Sequence, residues 1–134
     1  MSDNTNNTVE HKKYILIIED DKFYDNIFQK KFILAGYDLT IATDGLQGVE
    51  QAIQRKPDII LLDLIMPNQD GFETIQKLKA NQGLQDVPII VLSNLGQPSD
   101  IEKAKQLGAT DYIVKASISL QEVVDKVTEY LAKK

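Results

Sequence analysis

Short runs of consecutive apolar residues alternate along this chain with stretches whose apolar residues recur every three or four positions. The runs are Tyr14–Ile18, Leu39–Ala42, Ile59–Leu62, Ile89–Leu92 and Tyr112–Val114. Their length and continuity fit strands buried on both faces. Each is followed by a segment with helical periodicity. The last is the clearest, with Leu120, Val123, Val124, Val127 and Leu131 on one helix face. Val49, Ala52 and Ile53 mark the second helix, Phe72, Ile75 and Leu78 the third, and Ile101, Ala104 and Leu107 the fourth. The first helix, about Phe23 to Leu34, carries Ile27, Phe28 and Phe32.

Turn residues separate these units. Gly36 follows the first helix and Gly108 the fourth, where a left-handed residue closes a helix at least cost. Pro57 and Pro88 stand at strand entries, where a missing N–H matters little. The pattern is a strand–helix unit repeated five times. Continuous apolar strands with intervening helices predict a parallel sheet covered on both faces. Right-handed crossovers then favour a doubly wound five-stranded α/β sheet in the order 2-1-3-4-5.

The chain has 134 residues, the size of one domain, with 43% hydrophobic and 26% charged residues. Residues 1–12 are polar, rich in Asn and Thr, and are expected to form a disordered tail before a domain spanning 13–134. No second domain is expected beyond the fifth helix. There is no basic and apolar leader and no run long enough to span a membrane, so a cytoplasmic protein without membrane insertion is expected. The net charge of −5 gives no electrostatic footprint for direct nucleic-acid binding. The absence of cysteine excludes disulfides, thiolate metal sites and thiol nucleophiles.

In a doubly wound parallel sheet, ligands bind beyond the carboxyl ends of the strands. The first strand ends in Glu19-Asp20-Asp21, the third in Asp63, the fourth in Ser93 and the fifth in Lys115. The second, expected at a sheet edge, ends in Thr43-Asp44. Four contiguous strands thus bring carboxylates, a hydroxyl and an ammonium to one rim. Clustered carboxylates resist ionisation together unless a cation joins them. Oxygen donors without nearby His or Cys suit a hard ion such as Mg²⁺. A carboxylate can also attack phosphorus to form an aspartyl phosphate, with Lys115 and Ser93 stabilising the transferred group.

Each of these residues also has a plainer reading. Asp21 is equally suited to cap the first helix, and Asp70, before Gly71, to cap or turn. Asp20 fits a loop carboxylate, and Asp63 and Ser93 fit turns. Lys115 could neutralise an acid at the rim. His11 lies at the edge of the tail, where a solvated role fits better than phosphotransfer. Tyr112 and Phe72 fit core aromatics. Taken one at a time these readings suffice; together they leave the convergence of four strand ends to accident.

At this point the chain resembles the receiver domain of two-component response regulators, over roughly Lys13 to Leu131. The resemblance rests on Ile17-Ile18-Glu19-Asp20-Asp21, Leu61-Leu62-Asp63-Leu64-Ile65-Met66-Pro67, Gly71-Phe72-Glu73, Pro88-Ile89-Ile90-Val91-Leu92-Ser93 and Gly108-Ala109-Thr110-Asp111-Tyr112-Ile113-Val114-Lys115. It implies a flavodoxin-like (βα)5 fold of stand-alone type. It implies Asp63 as phosphoacceptor, with Asp20 a direct Mg²⁺ ligand, Glu19 acting largely through water, and the Ile65 backbone carbonyl completing the protein ligands. Lys115 pairs with the carboxylate and then with the phosphoryl group. Ser93 moves to hydrogen-bond the phosphoryl group and Tyr112 swings inward behind it, a switch that links the site to the face formed by the fourth helix, fifth strand and fifth helix. The implied donor is a histidine kinase, a phosphotransfer protein or a small phosphodonor. The implied output is contact with a downstream protein, as a monomer or a weak phosphorylation-dependent dimer.

The chain departs from the family pattern in places. The family usually follows its lysine with a cis proline; here Ala116 follows Lys115, so either the bond stays cis under strain or the loop differs. Asn94 stands where a small residue is common and narrows access to Asp63. Ile65 and Leu95, each two residues beyond a site residue, are apolar and disfavour an attacking water, so a long-lived phosphorylated state is expected. Two other readings compete. A pseudo-receiver would bind partners without phosphorylation. An aspartyl-phosphate phosphatase of the haloacid-dehalogenase type needs a second Asp where Ile65 stands. A nucleotide or flavin module is disfavoured because Asp21-Lys22-Phe23-Tyr24, not a glycine-rich loop, follows the first strand.

Overall fold

A computed structural model describes residues 12–133. Apart from Lys12, the tail expected over residues 1–12 lies outside the described residues, as does His11. Five strands, β1 (Tyr14–Ile18), β2 (Asp38–Ala42), β3 (Ile59–Leu62), β4 (Ile89–Ser93) and β5 (Asp111–Val114), alternate with five helices. These are α1 (Lys22–Leu34), α2 (Gly45–Gln54), α3 (Gly71–Ala80), α4 (Pro98–Leu107) and α5 (Leu120–Ala132). Single 3₁₀ turns occupy Gln82–Leu84 and Lys115–Ser117. All strand pairs are parallel, in the order β2-β1-β3-β4-β5, as the alternation of elements predicts. The five strands and α1 differ from their expected bounds by no more than one residue at either end.

The period of two along each strand builds two cores, one on each face of the sheet. On one face Leu16, Ile18, Ile60, Leu62 and Val91 meet Ala52, Ile75, Leu78 and Ala104 from α2, α3 and α4. On the other, Ile15, Ile17, Leu61, Ile90 and Ile113 meet Phe28 and Phe32 of α1 and Val123, Val127 and Leu131 of α5. The three central strands are wholly buried, whereas β2, at an edge, is half-buried over most of its length.

Local chemistry ends the helices where the sequence signals it. Asp21 accepts from the Phe23 N–H at 2.9 Å and caps α1, and Asp70 accepts from the Phe72 N–H at 2.7 Å and caps α3. Asp44 caps α2 by accepting from the Gln47 N–H at 2.8 Å. Ser119 and Glu122 form a reciprocal capping box on α5. Gly108 closes α4 at φ 120°, and Gly36 follows α1 at φ 94°, both in the left-handed region.

One expected helix face is corrected. Ile53 does not join Ala52 in the core; it is 58% exposed. The buried face of α2 is built instead on Gly45, Gly48 and Ala52. The reason is close approach: a Cβ on Gly48 would lie 2.4 Å from Cδ1 of Ile18. With the helix this near the sheet, glycine and alanine lie directly against it; Val49 packs partly buried against the same core, and Leu46 and Ile53 are turned outward.

Candidate functional site

The site follows from strand register. Ile18 of β1 pairs with Leu62 of β3, so the next residues, Glu19 and Asp63, leave the sheet side by side. The Asp63 N–H donates to the Ile18 carbonyl at 3.0 Å and extends the pairing to the rim. Ser93 pairs with Val114, which places Lys115 one step beyond the sheet on its far side. A long side chain brings the Lys115 ammonium back across β4 to the two carboxylates.

Lys115 Nζ lies 2.5 Å from Glu19 Oε1 and 3.1 Å from Asp63 Oδ2. All three residues are buried, and the Lys115 side chain is 5% exposed. The second oxygens are also held. The Asp21 N–H donates to Glu19 Oε2 and the Ile65 N–H donates to Asp63 Oδ1, each at 3.1 Å. Burial is the strongest influence on Glu19 and pushes its carboxyl up to about 7; the Lys115 hydrogen bond draws it down, and the Asp63 charge pushes it up again. Burial alone would lower Lys115, but the Glu19 hydrogen bond and the Asp63 charge outweigh it and hold the ammonium above its ordinary value. The lysine is therefore a fixed cation shared by two carboxylates.

Asp20 is exposed and completes an acidic set with Glu19 and Asp63, whose oxygens lie within 4.8 Å of one another. Asp20, Asp21, Ile65 and Asn94 line the same open cleft as Asp63 and Lys115. This donor set fits a hard divalent cation: it offers only oxygen, carries more than one negative charge and opens to solvent on the Asp20 side. Asp21 caps α1 and lines the cleft, outside the three-carboxylate set.

Ser93 and Tyr112 stand behind this group. Ser93 is fully buried, and its Oγ accepts from the Leu95 N–H at 3.3 Å. The Tyr112 hydroxyl donates to the Leu95 carbonyl, and its ring packs against the core face of α2, α3 and α4. Burial pushes the Tyr112 hydroxyl up to about 12, with the charges of Asp100 and Asp63 acting in the same direction. Leu95 is thus tied through both backbone groups, to the fourth strand end and to β5.

The Lys115–Ala116 bond is trans, and the loop after β5 differs from the family's usual cis-proline form. No cis peptide occurs among the described residues, and Lys115–Ser117 forms a 3₁₀ turn leading to α5.

Two residues near the site escaped the sequence reading. The Tyr24 ring centroid lies 4.3 Å from Lys115 Nζ. Asp25 is buried on the same helix face as Phe28 and Phe32, and its Oδ1 has no hydrogen-bond partner. Burial, then the charges of Asp21 and Asp20, push its carboxyl up to about 7, while Lys115 opposes them. The signal was a carboxylate in phase with two phenylalanines, three and seven residues before them.

Fold and site together define a class: a doubly wound α/β domain with an acid-and-lysine cluster at the carboxyl rim of its sheet. The response regulator receiver domain model matches residues 15–128. The chain belongs to this family, and so to the domains of two-component signalling. It is 37% identical over 117 residues to the DNA-binding dual master transcriptional regulator RpaA of Synechocystis sp., a match covering 87% of this chain and 48% of that protein. The chain therefore spans about half the length of that relative. The polar-differentiation response regulator DivK of Brucella anthropi is 29% identical over 119 residues, 89% of this chain and 96% of that protein. Among solved structures, the receiver domain of the sensor histidine kinase PA1611 from Pseudomonas aeruginosa PAO1, with a magnesium ion coordinated in its active-site cleft, superposes with a TM-score of 0.80. It is 27% identical and the match covers 91% of this chain and 99% of that one. Among the described residues no helix is long and apolar enough to cross a membrane.

Proposed function

We propose that this chain is a phosphorylatable signalling switch that accepts a phosphoryl group on Asp63 in a Mg²⁺-dependent reaction. The observation that carries the reading is the Asp63 carboxylate itself. It is nearly buried, held by Lys115 on one oxygen and by the Ile65 N–H on the other, beside two further carboxylates.

Glu19, Asp20 and Asp63, with the Ile65 backbone carbonyl, are the residues that would hold Mg²⁺. Held there, the ion would neutralise charge that gathers as the phosphoryl group approaches the acids. An Asp63 oxygen attacks phosphorus and forms the acyl–phosphate bond. The bond from phosphorus to the donor breaks, and its electron pair leaves with the donor atom. Lys115, already charged, shifts from sharing two carboxylates to pairing with a phosphoryl oxygen. The Ser93 hydroxyl gives up the Leu95 N–H and donates to the phosphoryl group. Because Tyr112 is bonded to the Leu95 carbonyl, that exchange reaches β5 and the face it forms with α4 and α5.

The donor is a histidine kinase, a phosphotransfer protein or a small-molecule phosphodonor. Output runs through contact with a downstream protein, as a monomer or a weak phosphorylation-dependent dimer, with no direct binding to nucleic acid. The domain occupies residues 13–134 behind a polar tail, works in the cytoplasm, and turns over no substrate apart from its own phosphoryl group. Intact mass after incubation with acetyl phosphate and Mg²⁺ tests the reading. A single phosphoryl adduct is expected, absent in Asp63→Asn and absent with chelator. An adduct that persists in Asp63→Asn, or no adduct in wild type from either acetyl phosphate or a phosphorylated kinase, overturns it.

A further inference from the structure

The structure assigns Tyr24 of α1 as a positioning residue for Lys115: its ring face closes the side of the ammonium that Glu19 and Asp63 leave open. This inference rests on the reading of Asp63 as phosphoacceptor.

Lys115 Nζ has three close neighbours from three parts of the chain. Glu19 and Asp63 come from the ends of β1 and β3, and the Tyr24 ring comes from the first turn of α1, 4.3 Å away at its centroid. The face of an aromatic ring carries negative charge density and attracts a cation most strongly where water is excluded. The Lys115 side chain is 5% exposed, so little water reaches it although it borders the open cleft.

The ring is held independently of the lysine. Phe23 meets it edge-on at 5.7 Å between centroids, and Phe28 lies against it at 6.0 Å, itself anchored by Phe32 at 5.8 Å. Phe28 and Phe32 are fully buried. The ring is thus part of a file of aromatics rooted, through Phe28 and Phe32, in the core between α1 and the sheet.

A ring suits this position better than the alternatives. A third carboxylate would compete with the phosphoryl group for the ammonium and raise the cost of ionising its neighbours. An open side would let a flexible four-carbon stem swing its ammonium into solvent. A ring face attracts the cation, offers no competing anion, and leaves the direction of Asp63 as the one along which Nζ can follow an incoming phosphoryl oxygen. Tyr24 therefore acts on phosphoryl transfer through Lys115 without touching the reacting atoms.

The test compares wild type, Tyr24→Leu and Tyr24→Phe in the full chain, at saturating acetyl phosphate and Mg²⁺, with Mg²⁺ affinity measured separately. Tyr24→Leu is expected to lower the labelling rate about tenfold with Mg²⁺ affinity unchanged, and Tyr24→Phe to restore it. Proton spectra provide a second readout: the Lys115 ε-methylene carries an upfield ring-current shift in wild type and Tyr24→Phe that is lost in Tyr24→Leu. A Tyr24→Leu protein that folds and labels at the wild-type rate overturns the inference while leaving the acceptor reading intact. Equal loss in Tyr24→Phe and Tyr24→Leu overturns it as well, because the hydroxyl would then be the active group. Failure of wild type to label overturns the acceptor reading, and this inference with it.

Discussion

Lys115 Nζ sits closer to Glu19, at 2.5 Å, than to Asp63, at 3.1 Å. One ammonium therefore compensates two buried carboxylates, and its removal would leave both unpaired. Breaking a buried ion pair by deleting one partner costs about 3–5 kcal/mol. Lys115→Met is expected to lose stability of that order at pH 8, by urea denaturation. Mg²⁺ should recover more stability in the variant than in wild type, because the ion replaces the missing cation. A variant as stable as wild type without Mg²⁺ would show that the pair contributes nothing to the fold.

Asp25 predicts a distinct pH dependence. Its folded-state carboxyl is raised from 3.8 to about 7, so between these values the folded chain binds more protons at this residue than the unfolded chain does. Its contribution to stability is complete below about 3.8, declines as pH rises toward 7, and is flat above. Asp25→Leu removes the unpartnered Oδ1 and should be more stable than wild type at pH 8 by about 1–3 kcal/mol. The gain should shrink as pH falls toward 5. Denaturation curves at pH 5, 6, 7 and 8 measure it; a gain independent of pH would mean that Asp25 does not titrate in this range.

Ile65 is expected to lengthen the lifetime of the phosphorylated state proposed for Asp63. Its side chain is 55% exposed at the cleft, where it offers an approaching water no hydrogen-bond partner. Leu95, the second apolar residue considered for this role, packs partly into the core. Ile65 is thus the better placed of the two. Ile65→Asn, which can orient a water, is expected to speed loss of the phosphoryl group by about tenfold. The decay of the phosphorylated mass after removal of donor is the measurement; an unchanged lifetime would mean that another residue limits attack.

Gly48 sets the distance between α2 and the sheet. A Cβ there would lie 2.4 Å from Ile18 Cδ1 and 2.8 Å from Ile18 Cγ1. Ile18 directly precedes Glu19, so any shift propagates to the site. Gly48→Ala is expected to cost about 1–3 kcal/mol by overpacking, although alanine is the better helix former. A neutral or stabilising result by thermal denaturation would show that Ile18 changes rotamer at no cost.

Much of the fold was legible because its determinants are local or topological. Runs such as Ile59–Leu62 and the periodic residues of α5 follow from the chain's own pattern, and right-handed crossovers favour, without alone fixing, the doubly wound order. The caps at Asp21, Asp70 and Gly108 are read from neighbours a few residues away. The gathering of Glu19, Asp20, Asp63 and Lys115 was also legible, since each stands one or two residues past a strand and parallel strands share one carboxyl rim.

What only the tertiary structure decided involves elements far apart in sequence meeting at a particular distance. Ile53 has the right period for burial, but the closeness of α2 to Ile18 turns it outward. Asp25 reads as a surface acid in a helical first turn until the buried face of α1 is seen to include it. Tyr24 reads as one aromatic among several until β5 returns Lys115 across the sheet to its ring. Propensity, capping and strand order act along the chain, so sequence carries them. Burial, desolvation and the position of a charge over a ring depend on which remote atoms fill the remaining space, and that is fixed when the two layers of helices close on the sheet.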